Sequence, residues 1–250
     1  MKRLLIRADD LGFSEAINYG IEKSVKEGLI RSVGIMTNMP SAAHGVSLLE
    51  GCDVCYGQHT NICADRPLTD PALIPSLVQE NGEFKPSKEY RAAFSQGIDF
   101  VDLDEVILEI EAQYERFKEL TGREPEYFEG HAVASANFFR GLQIVADRHH
   151  LEYAELTADV AHFRNSDFRI HLGSMKPGYD PRTFMKEVVD NADDEVVDVF
   201  VCHPGYLDSY ILTHSSLTMP RAFEVEMLCD REIKKYIEVH QIRLVTYNDL

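Results

Sequence analysis

Short apolar runs alternate with segments of helical periodicity from one end of this chain to the other, a pattern that predicts repeated βα units around a parallel sheet. The runs predict strands over Leu4–Ala8, Val33–Thr37, Val54–Thr60, Tyr127–Glu129, Glu152–Ala154, Ile170–Leu172, Val196–Cys202 and Ile242–Thr246. Between them, Ser14 caps a helix that ends at Gly28, and Ser41 starts one that ends at Gly51. Asp102 with Glu105 forms a capping-box start for a helix whose apolar stripe is Val106, Ile107, Ile110, Tyr114 and Phe117, with Gly122 after its end. Asn137–His149 and Pro181–Val189 read as further helices, and Pro220 suits the first turn of a late one. From Ala64 to Gly97 the rhythm breaks, because Pro67, Pro71, Pro75 and Pro86 interrupt any long element and Asn81-Gly82 marks a turn. The expected fold is α/β: an irregular (β/α) TIM-like barrel, one domain over residues 1–250, with 64–97 as an inserted Pro-rich excursion covering one end.

Composition narrows the class of function. The 250 residues carry a formal net charge of -17 and no Lys/Arg cluster, which argues against broad nucleic-acid binding. No apolar stretch approaches the roughly 20 residues needed to cross a bilayer, and Met1-Lys2-Arg3 leads straight into a strand without a cleavage pattern, so a cytoplasmic protein is expected. Five cysteines, an odd number, suit reduced thiols. Cys52, Cys55, His59 and Cys63 imitate a small zinc module. Along an extended chain, however, Cys55 and His59 lie roughly 13 Å apart at about 3.3 Å per residue, too far to share one ion.

The chemistry collects at strand ends. Asp9 and Asp10, Asn38, His59 with Asn61, His131 and His203 each fall at or just past the C-terminal end of a different predicted strand, and in a parallel barrel those ends share one rim. Two adjacent carboxylates at a buried strand end repel each other and lose hydration, a cost that a cation or a shared proton offsets, with a divalent metal the first candidate. An Asp and two imidazoles make a sound ligand set for a catalytic metal, leaving positions open for water and substrate. Neighbours on a regular strand point to opposite faces, so Asp9 and Asp10 serve one site only if the strand ends or bulges there, which Gly12 allows. Each residue also has a plain structural role open to it: Asp10 shaping a turn, His59 as a hydrogen-bonded core histidine, His131 in a turn after Gly130, and Arg221 with Glu224 as an i,i+3 ion pair. His44, His149, His150, His162, His171 and His214 lack a supporting pattern.

Several segments together resemble the YdjC-like (ChbG-like) carbohydrate deacetylase family. They are Ala8-Asp9-Asp10-Leu11-Gly12, Ser32-Val33-Gly34-Ile35-Met36, Gly57-Gln58-His59-Thr60-Asn61, Glu129-Gly130-His131, Cys202-His203-Pro204-Gly205, the helix from Arg221 to Leu228, and Thr246-Tyr247-Asn248-Asp249-Leu250. The resemblance implies hydrolysis of an N-acetyl group on chitin-derived oligosaccharides and a divalent metal, usually magnesium. It implies that Asp10, His59 and His131 hold the metal, that Asp9 is the general base and that His203 is the acid. Asn38, Asn61, Tyr206 and Arg221 are the expected substrate contacts, with no Trp in the chain to stack on a sugar and Tyr210 and Phe138 as further aromatic candidates. A small carbohydrate partner and a homodimer follow from the same resemblance. The chain departs from the family where a histidine-rich run is replaced by Ala132-Val133-Ala134-Ser135, and where Gln58 replaces an apolar residue.

Ligand softness suits zinc as well as magnesium. The same residues are compatible with a metal-dependent sugar isomerase, a phosphate-ester hydrolase or a non-catalytic sugar-binding protein.

Overall fold

Alternation along the first strand sets the architecture: Leu4, Ile6 and Ala8 pack outward against helices, while Leu5, Arg7 and Asp9 face the concave interior of the sheet. In the computed structural model, which describes residues 1–153 and 160–250, the elements run β1 (Arg3–Leu11), α1 (Glu15–Lys26), β2 (Ser32–Ile35), α2 (Ala42–Leu48), β3 (Cys55–Thr60) and α3 (Ser87–Ser95). They continue as α4 (Leu103–Thr121), β4 (Tyr127–Gly130), α5 (Ala136–Arg148), β5 (Val160–Phe163), β6 (Ser166–Leu172), α6 (Pro181–Asn191) and β7 (Val197–Cys202). The last elements are α7 (Ser209–His214), α8 (Met219–Cys229), α9 (Arg231–Val239) and β8 (Arg243–Val245).

The sheet order is β4-β3-β2-β1-β7-β6-β5, with β8 lying along the first residues of β1. All pairings are parallel except β5 with β6, a hairpin. This corrects the expected TIM-like barrel: the sheet curls but stays open, since among the described residues no ladder joins β4 to β5. Closure needs a strand running parallel between those two edges, and β5 instead turns back on β6. Aromatic side chains fill the gap. Tyr127 of β4 stacks on Tyr247 at 3.9 Å, and Phe163 and Phe168 of the hairpin meet the same ring at 4.9 and 6.0 Å. Arg164 in the hairpin turn donates to the carbonyls of Tyr247 and Leu250, tying the end of the chain across the opening.

Two further expectations changed in detail. Tyr153, in the strand expected over Glu152–Ala154, pairs with Phe128 as an isolated parallel bridge outside the named strands, and Ala154 lies outside the described residues. Asp102 does cap α4 by accepting from the N–H groups of Asp104 and Glu105, but the Glu105 carboxylate turns to the Ser76 N–H instead of closing a capping box. Ser76 belongs to the excursion, whose Ile74, Leu77, Phe84 and Tyr90 bury against α4 and α5 as a second apolar cluster. Excursion and helix start are thus built from each other.

Candidate active site

At the end of β1 the backbone solves the problem of two adjacent carboxylates. The register against β2 advances from Ala8–Val33 to Leu11–Ile35, three residues against two, so β1 carries a bulge. Within it Asp10 adopts φ +76°, a left-handed conformation that disfavours a residue with a Cβ by about 1–2 kcal/mol. The alternation is broken there, and Asp10 joins Asp9 on the concave face. Bulge and left-handed turn sit at the aspartate itself. Gly12, φ +101°, supports them two residues on, where a Cβ would lie 3.0 Å from the Met36 carbonyl oxygen.

Asp10, His59 and His131 come together. Asp10 Oδ1 lies 3.2 Å from His59 Nε2 and 3.0 Å from His131 Nδ1, and the two imidazole nitrogens are 2.9 Å apart. The geometry to Oδ1 does not make a hydrogen bond, so this buried oxygen has no hydrogen-bond partner. Ligands in adjacent octahedral positions about 2.1 Å from one ion are about 3.0 Å apart, close to all three separations. The donors around the triangle fit the same purpose. Glu129 Oε1 stands 3.0 Å from His59 Nδ1 and favours a proton on that nitrogen, so a neutral His59 would present the Nε2 lone pair toward an ion beside Asp10. These residues therefore fit a divalent cation, and Asp10, His59 and His131 are the three that would hold it.

Beneath the triangle Arg7 serves as the hub. Its Nε and Nη2 donate to Asp9 Oδ1 and Oδ2 at 2.7 and 2.9 Å, Nη1 donates to the Tyr247 hydroxyl at 2.9 Å, and Nη2 also pairs with Glu129 Oε2. Register explains the grouping, because β3 and β4 place His59 directly beside Glu129 while Gly34 of β2 lies between them and Asp9. A Cβ on Gly34 would come within 2.9 Å of Glu129 Oε1, 3.1 Å of His59 Cβ and 3.3 Å of Asp9 Oδ1.

Burial raises the Asp9 carboxyl, and the Arg7 guanidinium only partly offsets it. For Asp10 burial is again the largest influence, but Arg221 and His131 outweigh it and hold the group well below the usual carboxylate range. Glu129 is lowered too, Arg7 and His59 prevailing over burial. His59 is pushed up to about 10, since Glu129, Asp9 and Asp10 overcome the opposing effect of burial. Among the described residues Asp9, Asp10 and Glu129 share two guanidiniums, Arg7 and Arg221, so the three carboxylates hold an excess negative charge that a cation or a proton must balance.

His203 follows β7 on the other side of the site. Its Nδ1 lies 3.2 Å from Ser174 Oγ, its main-chain N–H donates to Glu224 Oε2 at 2.6 Å, and its carbonyl accepts from Arg221 Nη1 at 3.3 Å. Burial lowers the imidazole to about 4 and raises Glu224 to about 7. Arg221 and Glu224 do not form the i,i+3 pair that their spacing allows. Arg221 Nη2 donates to Asp10 Oδ2 at 2.8 Å and Nε to the Leu217 carbonyl, while Glu224 accepts from His203, Ser174 and Tyr179.

The other expected contacts are placed as follows. Asn38 Nδ2 donates to the Ala64 and Arg66 carbonyls, and Asn61 bonds to Asn38, to Ala64 and to the N–H groups of Cys63 and Ala64, so this pair braces the start of the excursion. Tyr206 is exposed, and its main-chain N–H is held by the Ala16 carbonyl. Tyr210 lines an outer cleft with Phe13, Ser14, Glu15, Pro40, Ser41, Asp208 and Ser209, and Phe138 is buried in the second apolar cluster. His149 pairs with Glu111, His162 with Asp167 and His171 with Asp198, all away from the site. The cysteines are free thiols, and among the described residues no candidate metal cluster contains one. Arg7, Ser174 and Tyr179 join the site without having been expected there, and Glu224, expected as the ion-pair partner of Arg221, turns instead to His203, Ser174 and Tyr179. An arginine inside an apolar strand two residues before a carboxylate was the one available signal.

The model of the YdjC-like protein family matches residues 3–239, and the chain belongs to that family. A relative named carbohydrate deacetylase 2 from Listeria innocua is 29% identical over 255 residues, covering 99% of this chain and 98% of its own. One named chitooligosaccharide deacetylase from Yersinia pestis (strain Pestoides F) is 29% identical over 262 residues and covers 99% of both. Among solved structures, a protein from Enterococcus faecalis V583 proposed to cleave cellobiose phosphate has a TM-score of 0.83 at 23% identity, covering 99% of this chain and 98% of that one. A family 4 acetyl xylan esterase from Clostridium thermocellum, in complex with a cobalt ion, shares the fold at a TM-score of 0.51 and 11% identity, covering 99% and 89%. No helix among the described residues is long and apolar enough to cross a membrane.

Proposed function

We propose that this chain is a metal-dependent carbohydrate deacetylase that removes the N-acetyl group of a chitooligosaccharide, with Asp10, His59 and His131 holding a magnesium ion. The observation that carries this reading is the buried, unbonded Asp10 Oδ1 facing two imidazole nitrogens at about 3 Å, beside a second carboxylate clamped by Arg7. Membership of the family and the names of its relatives support the reaction class: a hydrolase acting on a linear amide. Held by Asp10, His59 and His131, a divalent ion would supply Lewis acidity toward water and the acetamide carbonyl.

The chain's own residues do the rest. Arg7 fixes the plane of the Asp9 carboxylate, whose raised pKa suits it to take a proton from the attacking water. His203, once protonated at the ring, gives that proton to the departing nitrogen as the C–N bond breaks. The proton Asp9 took from water then leaves to solvent or recharges His203, so amide and water become amine and acetic acid with no net proton consumed. Glu129 and Arg221 hold His59 and Asp10 in place. The family resemblance carries two further expectations, a homodimer and a small carbohydrate substrate, and the cytoplasmic location is expected from the sequence pattern.

Acetate release from N-acetylglucosamine dimers and trimers tests the reading, using protein purified without chelator and paired with elemental analysis. Acetate and free amine are expected in equal amounts, together with a bound divalent metal that Asp10→Ala loses. Saccharide binding without acetate release across magnesium, zinc, manganese and cobalt would overturn it.

A further inference from the structure

We infer that Ser174 and Glu224 are positioning residues for His203, fixing its imidazole with the proton on Nδ1 and so making Nε2 the atom that carries protons at the reacting centre. The inference rests on the reading of His203 as the proton donor to the leaving nitrogen. The number of protons available fixes the sense of the bonds. A serine hydroxyl has one, and Ser174 Oγ lies 2.7 Å from Glu224 Oε1, which above about pH 7 belongs to an ionised carboxylate that can only accept. That proton is therefore directed at Glu224. The side of Oγ that faces His203 Nδ1 at 3.2 Å presents a lone pair, and a bond there requires Nδ1 to be the donor.

The carboxylate is held from three directions, so the chain of bonds has a definite sense. The Tyr179 hydroxyl donates to Glu224 Oε1 at 2.8 Å, and the His203 main-chain N–H donates to Oε2 at 2.6 Å. Ser174 and Glu224 are buried, which prevents water from replacing any link. Glu224 thus grips His203 twice, directly through its backbone and through Ser174 at its ring. The arrangement is that of a carboxylate acting on an imidazole through an intervening hydroxyl. When Nε2 takes up a proton, Nδ1–H, Ser174 and the anionic Glu224 lie in line to stabilise the cation. Ring nitrogens in water prefer no such order, and nothing in the local sequence around His203 supplies one: Ser174 comes from the turn after β6 and Glu224 from α8, 29 and 50 positions apart from their respective partners.

The test is nitrogen NMR of the full chain labelled at histidine, with steady-state kinetics of acetate release on the same samples. Wild type is expected to show His203 as the Nδ1–H tautomer, and Ser174→Ala to shift it to Nε2–H. The same substitution is expected to lower kcat by about 10- to 100-fold, the usual effect of removing such an outer partner, with KM and metal content unchanged. Ser174→Thr, which keeps the hydroxyl, is expected to restore both tautomer and rate. A wild-type spectrum with the proton on Nε2 overturns the inference without any variant having to fold, and so does a Ser174→Ala protein that retains Nδ1–H. A tautomer that switches while kcat stays unchanged supports the orienting contact and instead refutes His203 as the proton donor.

Discussion

Arg221 donates to Asp10 Oδ2 at 2.8 Å across 211 positions of chain, and this one bond decides which Asp10 oxygen remains available. Oδ2 is satisfied, and Oδ1 is left unbonded toward His59 and His131. Both partners are fully buried, so removing one strands the other's charge in a poorly solvating interior. Arg221→Met is expected to destabilise the chain by about 3–5 kcal/mol in denaturant titrations without metal. Saturating divalent cation is expected to recover part of that loss by compensating Asp10 directly. An equal loss with and without the cation would count against Asp10 as a ligand.

Asp9 and His59 separate catalysis from metal retention. Asp9→Asn keeps an acceptor for Arg7 but can no longer take a proton, and turnover is expected to fall by at least about 100-fold with metal content intact. His59→Ala is expected to lower both. Acetate release and elemental analysis on the same preparations check the pair, and an Asp9→Asn protein of normal activity would remove the base assignment.

Gly34 is a position where the site leaves no room. A methyl group there would press on Glu129, His59 and Asp9 together, at 2.9, 3.1 and 3.3 Å. Gly34→Ala is expected to cost about 1–3 kcal/mol of stability by overpacking and to lower kcat more than KM, since the displaced groups are the base and a metal ligand's support. Chemical denaturation and steady-state kinetics provide the two readouts. A stable, fully active variant would show that the cluster shifts freely.

Glu224 makes a pH prediction with a definite sign. Burial raises it from 4.5 to about 7, so between those values the folded chain keeps a proton that the unfolded chain has released. Its contribution to stability is full below about 4.5 and is lost as the pH rises through about 7. His203, lowered by burial from 6.5 to about 4, acts in the opposite direction, with its contribution full above about 6.5 and lost as the pH falls through about 4. Subtracting the stability–pH curve of Glu224→Gln from that of wild type isolates the glutamate: the difference should decline with rising pH across that window. A flat difference curve would refute the shift.

Much of the site was legible because strand ends are local features. A short apolar run followed by Asp9-Asp10, or by His203-Pro204-Gly205, can be recognised without knowing what it packs against. Arg7 and Glu129 were not legible as site residues. Inside short apolar runs they resemble stray charges, until the register places Glu129 beside His59 and the bulge in β1 brings Asp10 round to the same face as Asp9. Glu224 was hidden by Arg221 three residues away, because helical spacing offered an ion pair that tertiary partners on two other elements outcompeted.

By itself the sequence determined the succession of βα units and the strand ends where the chemistry gathers, since alternation, caps and turns act over a few residues. Only the tertiary structure decided that the sheet stays open, that the C-terminal Tyr247 plugs it and reaches Arg7 across 240 positions, and that a buried guanidinium organises the site. Those outcomes depend on which distant groups share one low-dielectric interior and must neutralise one another there. Periodicity along the chain holds no record of that balance.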